Sequence, residues 1–492
     1  MKIFSFILSS LSIFITVSLL FIPFGIIHTF GDIELESIIF HIFMPQKDMS
    51  LDWLKEMSIF ITLTSILSIL LIICSFKFLR IKKYFYGVML GFLFFDFYYV
   101  NKHFSVFDCI YNQFTASRFI KDNYVSPLKV IPPHMDRKRQ NLIIIQVESL
   151  ETSFQDKENG GLLDINYIPE LTQLAKENTS FSSSDLISGA VVLPETGWTM
   201  GGVVAETAGI PLKSYKIHKN NDQIGNRFNK YVSFLDGVVS LGDILNSYGY
   251  DNYFILGSSK SFAGQDVYFK KHGNYKIFDH NYIRKNMRVE KPQKNWWGLL
   301  DKDVFEFSKK KITEISKKDK PFSIFIQTID SHRDGFLSPD CPQKYNKFVK
   351  NVYACVSFHL NDFILWIKGQ EFFQDTTIVI VGDHCNMNNT LFSKNISNET
   401  GYYEGTERRI YNTFINPVIK PVQEKNRSFS TMDMFPTILA ALGVKIKGER
   451  LGLGTNLFSD RRTLLEEYGY QYLYQELRKK SHFYNKKLLY PQ

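Results

Sequence analysis

Residues 141–148 read NLIIIQVE, a continuous apolar and β-branched run that ends in an acid. Three further runs of this kind follow at 252–256, 322–329 and 377–381. Strands that are apolar on both faces are typical of a parallel sheet buried between two layers. Apolar residues at three- and four-residue intervals predict helices between and after these runs, over 168–178, 241–248, 302–316, 352–368 and 431–442. This alternation predicts an α/β fold with a mostly parallel central sheet.

Side chains that can bind a metal or a proton end three of these strands. Glu148 follows the first run, His332 the third, and Asp383 with His384 the fourth. Ligands of open α/β sheets bind beyond the carboxyl ends of the strands, so these residues are expected to share one site. Because Asp383 and His384 are adjacent, both reach one ion only where the chain turns, and Gly382 permits such a turn. A mixed carboxylate and imidazole set suits Zn or Mn better than Ca.

A hydroxyl nucleophile is predicted in the segment PETGWTMGG at 194–202, which reads as a loop entering a helix. A hydroxyl there lies among free backbone N–H groups, which together with the helix dipole stabilise a phosphate. A bound metal would lower the pKa of the hydroxyl and make it nucleophilic at neutral pH. Without the metal cluster, Thr199 would be an ordinary helix N-cap.

Three apolar runs precede the α/β part, at about residues 4–27, 59–76 and 84–100. The last is near the lower limit of about 17 residues for crossing a bilayer. The loop between the second and third runs is basic, with Lys77, Arg80, Lys82 and Lys83. Basic loops are retained in the cytoplasm, so the sequence predicts a bundle of about three transmembrane helices with everything after about residue 105 outside. If the third run were a buried soluble helix instead, two spans would leave the large part in the cytoplasm.

The 492 residues exceed what one compact core usually holds. We therefore expect a transmembrane domain at 1–105, a linker at 106–140, a catalytic domain at 141–445 and a basic helical tail at 446–492. The net charge of +9 comes from scattered Lys and Arg residues, which favours an anionic membrane surface over nucleic acid.

Two of the five cysteines, Cys341 and Cys355, lie close together in a polar region. Outside the cytoplasm they would form a disulfide that closes a short loop, contributing about 3 kcal/mol. Two free thiols are the alternative.

Several stretches resemble the sulfatase-type phospholipid headgroup transferases of the alkaline phosphatase superfamily. These stretches are VESLETSF at 147–154, LPETGWTMGGVVAETAGIPL at 193–212, SFAGQDVYFKKHG at 261–273, TIDSHRDGF at 328–336 and GDHCNMNNT at 382–390. The family includes lipoteichoic acid synthases, phosphoethanolamine transferases and the phosphoglycerol transferases of osmoregulated periplasmic glucans, and the likeness is strongest to the last group. It implies an alkaline phosphatase/sulfatase-like sandwich behind an N-terminal transmembrane helix bundle, in the bacterial inner membrane.

The resemblance also implies one divalent ion, typically Mn with Zn or Mg as alternatives, bound by Glu148, Thr199, Asp383 and His384. Thr199 would be the nucleophile as well. The family motif Gly-x-Gly-x-Thr has Glu195 in place of its first glycine here, which leaves Thr196 as the alternative nucleophile. His332 matches the histidine that contacts the substrate phosphate.

The resemblance implies a headgroup pocket that differs from that of the lipoteichoic acid synthases. Those enzymes carry an Arg where Gln265 stands here, three positions after Phe262. Lys260 or Asp266 would compensate, and Asn388 and Asn389 would line the same pocket. Ordinary loop polarity is the competing interpretation for these side chains.

The function that follows is transfer of phosphoglycerol from phosphatidylglycerol to a glycan or polyglycerol-phosphate acceptor through a phospho-threonine intermediate. Phosphatidylethanolamine is the alternative donor, and a non-catalytic membrane sensor with a degenerate fold is the alternative class. Sulfate-ester hydrolysis is disfavoured, because Cys341 and Pro342 lack the C/S-x-P-x-R context from which formylglycine is made.

Overall fold

The structure is a computed structural model. It describes residues 2–30, 35, 38, 52–77, 82–131, 140–213, 234–289, 298–332, 335–387, 392, 408–489 and 491.

A six-stranded sheet lies at the centre of the large α/β part. The strands are β1 Asn141–Val147, β2 Asp251–Leu256, β3 Lys276–Phe278, β4 Phe322–Gln327, β5 Thr376–Gly382 and β6 Asn412–Ile415, with a separate hairpin of β7 Arg450–Leu451 and β8 Gly454–Thr455. The sheet order is β3-β2-β4-β1-β5-β6, and all neighbours are parallel except β5 and β6. The prediction of a mostly parallel central sheet is confirmed.

The helices fall into an N-terminal group and a group that packs around the sheet. The first group is α1 Lys2–Phe30, α2 Asp52–Lys77, α3 Lys82–Phe104, α4 Val106–Phe114, α5 Phe119–Asn123 and α6 Pro127–Val130. The second group is α7 Pro169–Glu177, α8 Thr199–Ala208, α9 Leu241–Ser247, α10 Gln265–Lys271, α11 His280–Met287, α12 Asp301–Ile315, α13 Phe348–Lys368, α14 Met434–Ala441, α15 Leu464–Tyr468 and α16 Tyr470–Arg478. A π-helical turn covers Tyr484–Leu489.

The strands are apolar at consecutive positions because both faces of the sheet are covered. Ile144 and Val379 belong to one buried cluster, together with helices α8 and α14. Ile143 and Ile378, each one residue earlier, belong to the cluster on the other face with helices α12 and α13. Successive strand residues point to opposite faces, so each strand contributes to two cores in an α/β/α sandwich.

The strand register determines which residues meet at the carboxyl edge of the sheet. Strand β1 lies between β4 and β5, with Val147 paired to Gly382 and Gln146 paired to Gln327. The next residue along each of β1 and β5 is therefore Glu148 and Asp383, side by side.

Two of the described helices are long and apolar enough to cross a membrane by length and composition, over Ser10–His28 and Met57–Cys74. Helix α1 packs along α2, where the rings of Phe24 and Phe60 are 5.8 Å apart. The third expected span is also helical, as α3, and packs against α1, but among the described residues it does not meet the same length and composition criterion. The count of three spans therefore stays a prediction.

The segments expected as a linker and a tail pack on the α/β part. Val125 and Gly452 exchange backbone hydrogen bonds of 2.8 Å in both directions. Part of the tail is helical, and one face of it is buried: Leu473, Leu477 and Tyr484 join the core of the sheet's first face. The domain limits themselves stay predictions.

Candidate active site

Three side chains converge at the carboxyl edge of the sheet. The ligand atoms of Glu148, Asp383 and His384 lie within 4.8 Å of one another. His384 Nε2 is 3.3 Å from Glu148 Oε1 and 3.4 Å from Asp383 Oδ2, and all three side chains are buried. His384 Nδ1 donates to the carbonyl oxygen of Cys385 at 2.9 Å, so Nε2 is the nitrogen that faces the two acids.

The electrostatics of this cluster suit a cation. Burial raises the pKa of Asp383, and the neighbouring Glu148 carboxylate raises it further, to about 7. Burial acts to lower the pKa of His384, but the two carboxylates outweigh it and raise that pKa to about 10. Burial likewise acts to raise the pKa of Glu148, yet the charge of His384 brings it down to about 2. The two crowded carboxylates thus keep the His384 imidazole protonated. A bound divalent ion would supply the positive charge that this proton supplies here.

Unsatisfied atoms point to the same conclusion. Asp383 Oδ2 and His384 Nε2 are buried and lie 3.4 Å apart as an ion pair, but neither makes a hydrogen bond of good geometry with a described residue. Buried polar atoms are rarely left unpaired, so two in one cluster indicate a ligand position. With the Glu148 carboxylate they form a mixed oxygen and nitrogen donor set of the kind that holds Zn or Mn.

Backbone groups hold the acids in place. The Ser149 N–H and the His384 N–H each donate to Asp383 Oδ1 at 2.8 Å. The Ser331 hydroxyl donates to the Glu148 carbonyl, which links the ends of β1 and β4. Sequence reasoning missed Ser149 and Ser331, because only the three-dimensional register shows that they lie beside the cluster.

The sequence predicted that the chain turns at Gly382, but Gly382 itself continues the strand. Gly382 is the last residue of β5, and its φ is outside the left-handed region. A Cβ at this position would be 2.0 Å from the carbonyl oxygen of Leu150. The glycine is therefore required because the chain leaving β1 passes directly over it.

Helix α8 begins at Thr199 and presses its first turn against the acid–imidazole pair. A Cβ on Gly202 would be 2.6 Å from the carbonyl oxygen of Asp383 and 3.2 Å from its Cβ. Thr199 lies one turn earlier, at the first helical position after the extended Trp198, and is 8 % exposed. The first N–H groups of a helix have no partner within it, so this end of α8 can receive an anion. The pair of glycines at 201–202, unusual inside a helix, was a sequence signal for this close approach.

Thr196, the alternative nucleophile, is fully buried and its hydroxyl is occupied. Thr196 Oγ1 donates to the carbonyl oxygen of Leu193 at 2.8 Å and accepts from the Leu193 N–H at 3.1 Å. This hydroxyl closes the turn that precedes α8.

His332 lies in the loop after β4, at the same carboxyl edge of the sheet as Glu148. Its charge contributes to lowering the pKa of Glu148, which places the two residues within electrostatic reach. The loop is fixed by reciprocal bonds: Asp301 Oδ1 accepts from the Ile329 N–H at 2.7 Å, and Asp330 Oδ2 accepts from the Asp301 N–H at 3.0 Å.

The expected headgroup residues lie in the loop after β2. Gln265 is fully buried, and neither atom of its amide has a hydrogen-bond partner among the described residues. Burial raises the pKa of Asp266, while the exposed Lys260 nearby lowers it. No described contact joins these three side chains to Glu148, Asp383 or His384. Asn388 and Asn389 lie outside the described residues.

A buried ion pair that the sequence did not reveal anchors the chain beyond the cluster. Arg408 Nε donates to Glu151 Oε2 at 2.7 Å, and the Asn386 N–H donates to Glu151 Oε1 at 2.7 Å. The ring of Phe392 covers the Arg408 guanidinium at 5.0 Å. These bonds tie the segments on both sides of residues 393–407 to the loop after β1.

The sulfur atoms of Cys341 and Cys355 are joined in a disulfide, 2.01 Å apart, beside the buried His359. The bond occupies both thiols, so the grouping of these two cysteines with His359 is not a metal site. It links the segment before α13 to the first half of that helix.

The family model described as Sulfatase matches residues 140–444, well over half of the chain. The chain therefore belongs to the sulfatase family, and its sheet and flanking helix layers form the sulfatase-like α/β sandwich.

Particular relatives are consistent with this membership. The chain is 34 % identical over 348 residues to phosphoglycerol transferase I of Escherichia coli strain K12, a match that covers 68 % of this chain and 41 % of that protein. The chain thus spans about two fifths of the length of that relative.

Two solved structures align over most of the α/β part. A protein in the alkaline phosphatase superfamily from Vibrio parahaemolyticus has a TM-score of 0.49 and 22 % identity, covering 64 % of this chain and 69 % of that one. The lipoteichoic acid synthase LtaP from Listeria monocytogenes has a TM-score of 0.49 and 17 % identity, covering 70 % and 82 %.

Proposed function

We propose that this protein is a metal-dependent transferase that moves phosphoglycerol from phosphatidylglycerol to a hydroxyl of a glycan or polyglycerol-phosphate acceptor. One observation carries the proposal: the first turn of α8, which starts at Thr199, lies against Asp383, beside Glu148 and His384. A hydroxyl at a helix start, next to a buried cation-binding set, is the arrangement that phosphoryl transfer needs. The relative named phosphoglycerol transferase I supports this choice of headgroup.

In the proposed reaction Thr199 is the nucleophile. Its Oγ1 gives up its proton and forms a bond to the phosphorus of the lipid headgroup, the bond from phosphorus to the diacylglycerol oxygen breaks, and that oxygen takes up a proton. An acceptor hydroxyl then loses its proton and bonds to the phosphorus, the bond between phosphorus and Thr199 Oγ1 breaks, and Oγ1 takes up a proton again. His332 would donate a proton or stabilise charge at the phosphate.

Glu148, Asp383, His384 and the Thr199 hydroxyl would hold the divalent ion, for which Mn is our choice and Zn or Mg the alternatives. The chemistry that such an ion supplies is a lowered hydroxyl pKa and neutralised phosphate charge. The free N–H groups at the start of α8 add to the stabilisation of the phosphate oxygens.

The headgroup would be recognised in the loop after β2. The buried Gln265 amide offers one acceptor and two donors that no described residue uses, which matches the hydroxyls of glycerol. Lys260 and Asp266 flank it, and Asn388 and Asn389 are proposed to complete the pocket. An ethanolamine headgroup would instead require an acid within reach of its ammonium, and Asp266 is the candidate for that alternative donor.

The site would face outside the cytoplasm, in an enzyme of the bacterial inner membrane. The two apolar helices α1 and α2 and the disulfide of Cys341 with Cys355 support this location, because disulfides persist in oxidising compartments. Donor lipid and acceptor would then meet at the membrane surface.

The test uses the full chain in detergent with Mn and either phosphatidylglycerol or phosphatidylethanolamine, each labelled in its headgroup. We expect diacylglycerol release with phosphatidylglycerol and a fall of roughly three orders of magnitude or more in Thr199→Ala. Release from phosphatidylethanolamine alone would select the other donor. No release from either lipid and no bound divalent metal would leave a non-catalytic sensor as the function.

A further inference from the structure

Helix α4, Val106–Phe114, turns its apolar face outward. The exposed side chains on that face are Phe107 (59 %), Ile110 (50 %), Tyr111 (64 %) and Phe114 (86 %). Their spacing of three and four residues puts them in one stripe along the helix. The opposite face buries Cys109 and Asn112 instead. A surface helix in water normally buries its apolar stripe, so this orientation indicates a non-aqueous neighbour.

The stripe continues the apolar surface of the preceding helix. Helix α3 exposes Phe94 (69 %) and Tyr98 (65 %). A single residue, Ser105, separates the two helices, and its left-handed φ of 46° makes the bend. The Phe107 N–H donates to Asn101 Oδ1 at 2.8 Å across that bend, which fixes the angle between α3 and α4.

The other end of α4 is attached to the α/β part by backbone hydrogen bonds. The Lys480 N–H donates to the carbonyl oxygens of Asn112 and Thr115, both at 3.0 Å, and the Ser117 N–H donates to the Lys480 carbonyl at 2.8 Å. Just beyond, the ring of Phe119 packs against Tyr468 at 5.4 Å. The direction in which the stripe faces is therefore fixed relative to the sheet and its site.

We propose that α4 is an interfacial helix that lies in the boundary between the headgroups and acyl chains of an anionic bilayer and so sets the orientation of the α/β domain over the membrane. Short aromatic helices with a polar opposite face bind at this depth. Exposed Lys102 and Lys121 flank the helix and can pair with lipid phosphates, while Asp108 lies at the border of the stripe. The proposal rests on the membrane location proposed above but not on transfer activity.

The test is photo-crosslinking of the full chain in nanodiscs of phosphatidylglycerol and phosphatidylethanolamine. Phe114→p-benzoylphenylalanine replaces a largely exposed side chain, so the fold should be unaffected. After irradiation, intact-mass spectrometry should show a lipid adduct. The matched control is Phe358→p-benzoylphenylalanine, at a side chain that is 56 % exposed on α13. Helix α13 covers one face of the sheet, and Phe119 packs on the other. This control should give no lipid adduct.

A third variant separates the two ways in which the proposal can fail. Phe94→p-benzoylphenylalanine, in α3, should also form a lipid adduct. An adduct at position 94 but none at 114 would overturn the interfacial helix and leave the membrane location standing. Absence of adducts at both positions would overturn both. A cross-linked dimer or other protein product at 114 in place of lipid would show that the stripe is a protein interface and would also overturn the proposal.

Discussion

At the scale of single residues, Glu195 shows how a side chain other than glycine is held in a left-handed backbone conformation. Glu195 adopts a left-handed φ of 63°, a conformation that favours glycine. Its buried carboxylate lies 3.2 Å from the equally buried Lys213 Nζ, which also donates to the carbonyl oxygen of Leu477. A buried ion pair thus connects the loop before Thr199 to the C-terminal helix α16.

This pair gives a prediction about stability. Lys213→Met leaves the Glu195 carboxylate buried without its cation, so the free energy of unfolding should fall by about 3–5 kcal/mol. Thermal unfolding in detergent, followed by tryptophan fluorescence, measures the change. The double variant Glu195→Gln with Lys213→Met removes both charges and should be more stable than Lys213→Met alone. Additive losses in the double variant would show that the two residues do not act as a pair.

A second residue-scale prediction separates the two threonines. Thr196→Val removes a hydroxyl that closes the turn before α8, so it should lower stability by roughly 1–3 kcal/mol. Assayed well below its unfolding temperature, this variant should still release diacylglycerol, whereas Thr199→Ala should not. A folded Thr196→Val protein that has lost all activity would assign the nucleophile to Thr196.

Single residues also mark the limit of what the sequence predicts about the site. Glu148, Asp383 and His384 were found because each directly follows a recognisable strand, and parallel strands end at one edge. Ser149 and Ser331 were missed because their roles depend on strand register. Gly382 was recognised as necessary, but the reason is the approach of Leu150, a contact distant in sequence.

At the scale of elements, the candidate active site depends on the close packing of helix α8 against the residue that follows β5, Asp383. Alanine in place of glycine normally stabilises a helix by about 1 kcal/mol. Gly202→Ala should do the opposite, because its Cβ would be 2.6 Å from a backbone oxygen of Asp383. We expect a loss of about 1–3 kcal/mol in stability and weaker binding of a divalent metal, measured by calorimetry on the full chain.

The control for this prediction is Gly369→Ala, at the C-cap of α13. There the nearest heavy atom to a new Cβ is 3.5 Å away, so stability and metal binding should be almost unchanged. If Gly202→Ala were as harmless as the control, α8 would not be seated on Asp383 as described.

Elements were predicted well where the pattern is long and uniform. All four apolar runs are strands, and the helix expected over 302–316 is α12 at Asp301–Ile315. Strands β3 and β6 were missed because they are short edge strands, with three and four residues. Helix α10 was missed because it follows a loop in which Ala263 and Gly264 both take a left-handed φ, a local feature that overrides helical periodicity.

At the scale of the whole molecule, the cysteines can test in which compartment the α/β domain lies. Of five cysteines, Cys341 and Cys355 are bonded to each other, and Cys74, Cys109 and Cys385 are thiols outside this disulfide. If the domain faces outside the cytoplasm, denatured protein from cells should react with a polymer-linked maleimide at three sites before reduction and at five after it. Equal labelling before and after reduction would place this loop in a reducing compartment.

The same disulfide has an expected contribution to stability. It joins residues 14 apart, and closing a loop of about 15 residues contributes about 3 kcal/mol in the chain-entropy model. Cys341→Ser combined with Cys355→Ser should lower the free energy of unfolding by that order, and its maleimide labelling should no longer depend on reductant. A double variant with unchanged stability would show that the bond is absent or contributes nothing in the native protein.

The central claim is that the Thr199 hydroxyl, beside the buried acid–imidazole cluster, accepts the lipid headgroup. Mass spectrometry of the peptide that contains both Thr196 and Thr199, after incubation of the full chain with Mn and phosphatidylglycerol, tests it most directly. We expect a phosphoglycerol group on Thr199 that disappears when acceptor is added. The same group on Thr196, or transfer to acceptor through a chain that is never modified, would contradict it.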